Sequence, residues 1–374
     1  MLFPPSPREL LIALNAAPRI SRPAVCRLAQ ELPRWSEAPE PPGRLAAAVG
    51  IPKAQMEKAL AVRETAAAVT AREEAEAARL GARIVLPEDP AWPAGLAHLS
   101  LPPPVLYVAG EIPEGAALSI VGSRRSDAYG TEVAEAFARA LAASGVTVVS
   151  GFARGIDAAA HRGALAAEGG RTVAVLGCGL GVDYPVGHAK LAKEIAARGA
   201  LVSEFPCGMA PRAWHFPVRN RVIAALSAGI LVVQATPRSG SLITARHSLE
   251  LGREVYAVPG RIFDERSLGP HALLRDGARL VQHPQDILDD LLPRRPGSPP
   301  PGPLFAEPAP APALPDPPEG LPREILGVLS RGSFQVPEDL AIRVDAPVDQ
   351  VLGALLELEL GGWVKRMPGS VYGR

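Results

Sequence analysis

The chain has 374 residues, with 39 basic and 39 acidic side chains and a formal net charge of zero. Hydrophobic residues make up 47%, which excludes a globally disordered chain and supplies apolar surface for two or three domains. The charge is uneven: residues 1–100 hold 12 basic and 11 acidic residues, residues 119–260 hold 15 and 10, and residues 261–374 hold 12 and 16. An anionic partner is therefore expected on the middle of the chain.

Residues 1–80 read as a small all-α domain. Apolar residues recur at three-to-four spacing in 8–14, 24–32 and 56–78, interrupted by Pro33, Pro39, Pro41, Pro42 and Pro52. A short strand over 82–86 and the crossing Pro102-Pro103-Pro104 lead into residues 81–292, where the pattern becomes regular α/β. Apolar strand runs at 118–121, 146–149, 172–176, 200–203, 230–233 and 254–258 alternate with helical patterns at 130–143, 156–167, 189–198, 216–227 and 240–252. Strands apolar throughout are buried on both faces, so the expected fold is α/β: a Rossmann-like, doubly wound, mostly parallel sheet with helices on both sides. Residues 293–322 hold 13 prolines in 30 positions and read as an extended linker. Residues 323–374 read as three helices (323–329, 336–342, 347–360) and a short hairpin, the pattern of a winged helix.

In a doubly wound sheet ligands bind beyond the C-terminal strand ends, and five loops lie there. Gly122-Ser123-Arg124-Arg125 closes the first strand run as a phosphate-sized turn before a helix, with Gly122 permitting close backbone approach and Arg124 offering a fork of donors. Ser150-Gly151-Phe152-Ala153-Arg154-Gly155-Ile156-Asp157 repeats the arrangement. Arg154 suits either a phosphate or a structural ion pair there, and Asp157 either a first-turn carboxylate or a functional one. Gly177-Cys178-Gly179-Leu180-Gly181 follows the third run; Lys190 beyond it fits either an anion contact or a solvated helix face. Without an acidic residue placed for a ribose about 20 positions on, this is not a dinucleotide fingerprint. In Phe216-Pro217-Val218-Arg219-Asn220-Arg221 the two arginines leave one helix start in different directions, so one faces the cleft and the other pairs with a carboxylate, Glu204 being the candidate. Ser239-Gly240-Ser241 opens the last helix as a further backbone anion cradle.

Cys26, Cys178 and Cys207 show neither CxxC nor Cys/His spacing, so no disulfide framework, zinc site or other metal centre is expected. There is no signal-peptide pattern and no run of ~18 apolar residues. A cytoplasmic protein without membrane association is the expectation.

Gly-Ser-Arg, Ser-Gly-x-Ala-Arg-Gly-Ile-Asp, Phe-Pro-x-Arg-Asn-Arg-x-Ile-Ala and Ser-Gly-Ser-Leu-Ile-Thr-Ala, in this order, resemble the DNA-processing protein A family (DprA, also called Smf) over roughly residues 82–290. The flanking units look like the sterile-alpha-motif-like helical domain and winged helix that some members carry. The resemblance implies a cytoplasmic homodimer, built through the Rossmann-like domain, that binds single-stranded DNA and loads the RecA recombinase onto it in natural transformation, with no required catalytic step and no cofactor. The DNA-binding residues it implies are Gly122, Ser123, Arg124, Arg125, Ser150, Gly151, Phe152, Arg154, Gly155, Gly179, Lys190, Arg219, Asn220, Arg221, Ser239, Gly240 and Ser241. Departures from the family pattern occur at Gly269-Pro270-His271, at Gln234, where an acidic residue is common, and at Val186-Gly187, where a basic residue is common.

Cradles with arginines along one rim would track successive phosphates of a polymer, with steep salt dependence and little sequence preference. Aromatic residues are 5% of the chain, which excludes a ladder of stacked bases; Phe152, Trp214 and Phe216 are placed to stack one. The rival reading is a nucleotide-cleaving enzyme of the lysine-decarboxylase-like phosphoribohydrolase type, whose Pro-Gly-Gly-x-Gly-Thr-x-x-Glu motif is replaced here by Pro237-Arg238-Ser239-Gly240-Ser241-Leu242-Ile243-Thr244. Residues 323–374 hold six basic and seven acidic residues, which favours protein contact over DNA reading for the winged helix.

Overall fold

The computed structural model describes residues 5–36, 40–292, 317–329, 334–367 and 371–373. They fall into two compact units divided at Pro299–Pro300.

The first unit opens with five helices, α1 (Pro7–Ala16), α2 (Arg22–Gln30), α3 (Leu32–Ser36), α4 (Pro42–Val49) and α5 (Lys53–Arg79). Ser6 caps α1 in a reciprocal box: its hydroxyl accepts from Glu9 N, and Glu9 Oε2 accepts from Ser6 N at 2.7 Å. α4 ends at Gly50, whose φ of 72° is the left-handed geometry of a helix stop. α5 buries Met56, Ala59, Val62, Ala66 and Ala77, a face at helical spacing.

The sheet follows: β1 (Ala82–Val85), β2 (Leu106–Gly110), β3 (Ala117–Val121), α6 (Ala128–Ala143), β4 (Thr147–Ser150), α7 (Ile156–Ala166), β5 (Thr172–Val175), α8 (Ala189–Arg198), β6 (Ala200–Ser203), α9 (His215–Ala225), β7 (Gly229–Val232), α10 (Gly240–Glu250), β8 (Glu254–Ala257), α11 (Leu268–Arg275), β9 (Arg279–Leu280) and α12 (Gln285–Leu291). Strand order is β1-β2-β6-β5-β4-β3-β7-β8-β9. Pairing is parallel from β6 to β9, with Ile120 opposite Leu231 and Val149 opposite Val173, and antiparallel for β1–β2 and β2–β6. The mostly parallel, Rossmann-like sheet is as the apolar runs imply; the antiparallel strand β2, held between the edge strand β1 and β6, and the short strand β9 are additions to them.

Alternate side chains feed two cores. Ala174 packs with Ala158, Leu165 and Ile195 and with the N-terminal helices. Its neighbours Val173 and Val175 pack on the other face with Val222, Ile223 and Ala245. Both faces are thus covered, which buried parallel strands require. After β3 the chain winds outward to β6 and returns to β7 on the opposite side of β3. The β3/β7 boundary is therefore the switch point at which such sheets open a crevice.

The second unit contains α13 (Leu321–Val328), β10 (Phe334–Gln335), α14 (Pro337–Arg343), α15 (Val348–Leu360), β11 (Lys365–Met367) and β12 (Val371–Gly373), with the strands ordered β10-β12-β11. This is a winged helix around Ile325, Leu326, Leu340, Val351, Leu355 and Leu358. α13 begins at Leu321, two residues before the expected 323, because Pro322 fits a first helical turn, where no N–H is needed. The expected linker falls largely on 293–316, and the wing turn on 368–370, outside the described residues.

Candidate nucleic-acid interface

At the C-terminal ends of β3 and β7 lies a cleft of about 1480 Å³. Its walls include Gly122–Arg125, Asp157, Phe216, Arg219, Asn220 and Ser239–Ser241. A smaller cavity of about 450 Å³ adjoins it, lined by Gly151, Phe152, Arg154, Leu176, Pro185 and Val186; Arg124, Arg125, Tyr184 and Phe216 border both.

The β3 loop is fixed by its backbone. Ser123 N donates to Gln234 O at 2.6 Å, and Ser123 O accepts from Ile156 N at 3.1 Å. Ser123 Oγ accepts from Arg125 N at 3.0 Å, curling the turn. The close approach at Gly122 is made by the protein itself: a Cβ there would stand 2.7 Å from Ile156 Cγ1 and 2.8 Å from Gln234 O. Arg124 and Arg125 are exposed, and the Arg124 guanidinium lies 4.9 Å from the centre of the Phe216 ring.

The β4 loop sits over a buried charge pair. Ser150 Oγ donates to Ile120 O at 2.6 Å and is fully buried. Arg219, 3% exposed, donates to Gly151 O at 2.6 Å and also to Val175 O. Asp157 accepts from Ala153 N at 3.2 Å. A Cβ on Gly151 would lie 2.7 Å from Asp157 Oδ2 and 2.8 Å from Arg219 Nη2, so only glycine closes over these groups. Burial pushes the Asp157 carboxyl up against the pull of Arg219, and burial lowers Arg219 to about 10, opposed by Asp157. Arg219 stays charged at neutral pH. Phe152 has a φ of 61° and Gly155 one of 75°. The Phe152 ring is buried, edge-on to His188 at 5.3 Å, so it walls the smaller cavity rather than standing free to stack. Arg154 is exposed and reaches Val186 O at 3.5 Å.

At the third cradle Ser239 caps α10, accepting from Ser241 N at 3.4 Å, and Asn220 Nδ2 donates to Gly240 O at 3.0 Å. A Cβ on Gly240 would meet nothing within 4 Å, so this backbone faces open space.

Three of the expected residues stand elsewhere. Arg221 turns away from the cleft, 12% exposed, and grips Glu204 with both terminal nitrogens at 2.8 Å while its Nε donates to Leu101 O. Burial pushes Glu204 up, but the charge and hydrogen bonds of Arg221 overcome this and hold it below its ordinary value. Gly179 packs against backbone, where a Cβ would stand 1.9 Å from Pro206 O. Lys190 lies on the solvated face of α8, 3.8 Å from Glu194. Arg221 and Gly179 serve chain packing and Lys190 a solvated helix face, and spacing alone does not separate these roles from ligand contact.

Two cleft residues escaped the sequence reading. Arg212 precedes α9 and Arg261 follows β8; both are exposed and line the larger cavity. Arg261 lies just beyond the strand run 254–258, where the rule for strand ends applies as it does to the other loops. Arg266, also at the cleft, is engaged by Asp264 and Asp127. Asp127 caps α6 and takes a hydrogen bond from Gln234 Nε2 at 2.9 Å, which gives Gln234 a structural duty. Among the described residues there is no cluster of side chains fit to hold a metal ion and no helix long and apolar enough to cross a membrane.

Residues 83–292 match the family model described as DNA recombination-mediator protein A, and residues 308–370 that of the DprA winged helix domain. Protein Smf of Escherichia coli is 44% identical over 278 residues, 72% of this chain and 71% of the relative. DNA processing protein DprA of Bacillus subtilis is 40% identical over 203 residues, 54% and 68% of the two chains. Among solved structures, DprA from Streptococcus pneumoniae superposes with a TM-score of 0.65 at 30% identity, covering 77% of this chain and 99% of that one. DNA processing protein A from Helicobacter pylori, whose structure concerns its single-stranded DNA binding mode, superposes with a TM-score of 0.51 at 30% identity, covering 56% and 96%. With its switch-point crevice, its four motif loops and these relatives, the chain belongs to the DNA recombination-mediator protein A family.

Proposed function

We propose that this protein binds single-stranded DNA in the paired cavities and, as a cytoplasmic homodimer, delivers it to a RecA-type recombinase during natural transformation, without a catalytic step of its own. The observation that carries the reading is the rim: Arg124, Arg125, Arg154, Arg212 and Arg261 are exposed around two adjoining cavities that share Arg124 and Arg125, the larger of which also holds the Ser123 and Ser239–Ser241 turns. Several cations spread over a long crevice suit consecutive phosphates of a polymer better than one mononucleotide. Tyr184 and Phe216, with ring centres 5.6 Å apart, give one unstacked base an apolar wall. A homologue studied for single-strand binding supports the choice of ligand.

The contacts of Arg219 and Asp157 favour a non-catalytic reading. Asp157 lies under Gly151 with its oxygen on Ala153 N–H, a loop-fixing role. The phosphoribohydrolase alternative needs a glutamate in the loop that here reads Arg238-Ser239-Gly240-Ser241.

The test is binding of a labelled single strand and of its duplex across a salt series, with AMP hydrolysis followed on the same preparation. Salt-steep preference for the single strand without AMP cleavage supports the reading, and filament assembly by RecA then tests delivery. Weak strand binding with AMP cleavage refutes it.

A further inference from the structure

In the second unit, α15 buries Val351, Ala354, Leu355 and Leu358 in the core. Its opposite side carries Leu352, Leu356 and Leu360, 44%, 56% and 82% exposed. At about 100° per residue these three fall within roughly an 80° strip of the helix surface. Glu357 and Glu359 border the strip on its two sides, Asp349 stands at its N-terminal end, and α15 contains no lysine or arginine.

Gly353 stands beside the strip in mid-helix, about 20° beyond its edge and between it and Glu357. Glycine costs a helix interior about 1 kcal/mol relative to alanine, yet a Cβ here would meet nothing within 4 Å. The fold gains nothing from this glycine. A groove for a closely approaching chain would.

The charges choose among occupants. A DNA backbone would meet three carboxylates. A second copy of the strip would set Glu357 and Glu359 against their own equivalents. Cationic flanks complement the strip, and an apolar helical face fills it. We propose that α15 docks an amphipathic helix of a partner protein, its leucine-type face flanked by lysine or arginine. This is independent of the DNA reading.

The test uses the full-length protein and two synthetic amphipathic helical peptides with the same leucine face, one with lysine flanks and one with glutamate flanks. The lysine peptide binds at least about tenfold more tightly, a difference of about 1.4 kcal/mol. Leu356→Glu abolishes that binding. Gly353→Gln leaves the melting temperature unchanged or raised and still weakens the peptide about tenfold, which separates docking from folding. Equal binding of both peptides, or binding unaffected by Gly353→Gln, overturns the proposal. So does concentration-dependent self-association that Leu356→Glu abolishes, which would make a second copy the occupant. A large loss of single-strand affinity in Leu356→Glu would assign the strip to nucleic acid and overturn it equally.

Discussion

Replacing Arg124 with alanine removes one of five exposed arginines that line the two cavities, together with its stacking on Phe216. If each of the five neutralises one phosphate, the logarithm of the binding constant falls with the logarithm of salt at a slope of about −3.5, since single strands contribute roughly −0.7 per phosphate. Between about 50 and 200 mM salt that slope corresponds to a loss of roughly 100-fold. In Arg124→Ala the slope becomes about −2.8 and the same salt interval costs only roughly 50-fold. At fixed low salt the variant binds about 10- to 100-fold more weakly, the range of a lost charge-assisted hydrogen bond. Arg124→Lys keeps a point charge while losing the planar fork, so it restores the slope with only part of the affinity. Fluorescence anisotropy with several labelled sequences measures all of this. A fall in affinity with an unchanged slope would mean that Arg124 acts by holding Phe216 rather than by meeting phosphate. A loss confined to particular sequences would mean that it reads bases. Either result refutes the phosphate assignment.

Gly151→Ala drives a methyl group into Asp157 and Arg219 at 2.7 and 2.8 Å and lowers stability by about 1–3 kcal/mol, read by urea unfolding. Gly240→Ala meets open space, so the fold tolerates it; reduced strand binding with an unchanged unfolding midpoint would place phosphate at this backbone. Glu204→Gln leaves the nearly buried Arg221 without its counter-charge and costs about 3–5 kcal/mol. Because the folded-state pKa of Glu204 lies below 4.5, the stability it provides is present above that value and is lost as pH falls through the folded value; the variant's acid-unfolding limb is correspondingly flatter. Truncation before Leu321 removes a unit whose residues 323–374 hold six basic and seven acidic side chains, so strand affinity survives; gel shift checks it.

The parallel core was legible because its strands are short, apolar throughout and separated by amphipathic helices. β2 was not, because its run Leu106–Gly110 follows three prolines and pairs antiparallel with β6, a strand far away in sequence. Short apolar runs carry no signal of their partner. The cleft loops Gly122–Arg125 and Ser239–Ser241 were legible for the opposite reason: strand-end position alone places them. Burial decided the rest. Phe152 reads as a stacking aromatic until its left-handed backbone and its contact with His188 are known.

Arg219, Asn220 and Arg221 show why a specific motif need not be a set of ligand contacts. Successive residues on a helix point about 100° apart, so three neighbours cannot share one cleft. Arg219 turns under the β4 loop and holds Gly151 and Val175 by their carbonyls. Asn220 ties α9 to the start of α10 through Gly240 O. Arg221 turns to Glu204, whose own carbonyl accepts from Asn15 of α1, while Arg22 of α2 donates to Asn15 and lies 5.3 Å from the Phe205 ring. Phe205 in turn stacks on His215 at 4.1 Å, at the first turn of α9. One helix start is therefore bolted to the β4 loop, to α10 and to the N-terminal helices at once, and Phe216 and Arg124 stand on that anchored wall. The motif residues make this joint, and the exposed arginines stand on the rim around it.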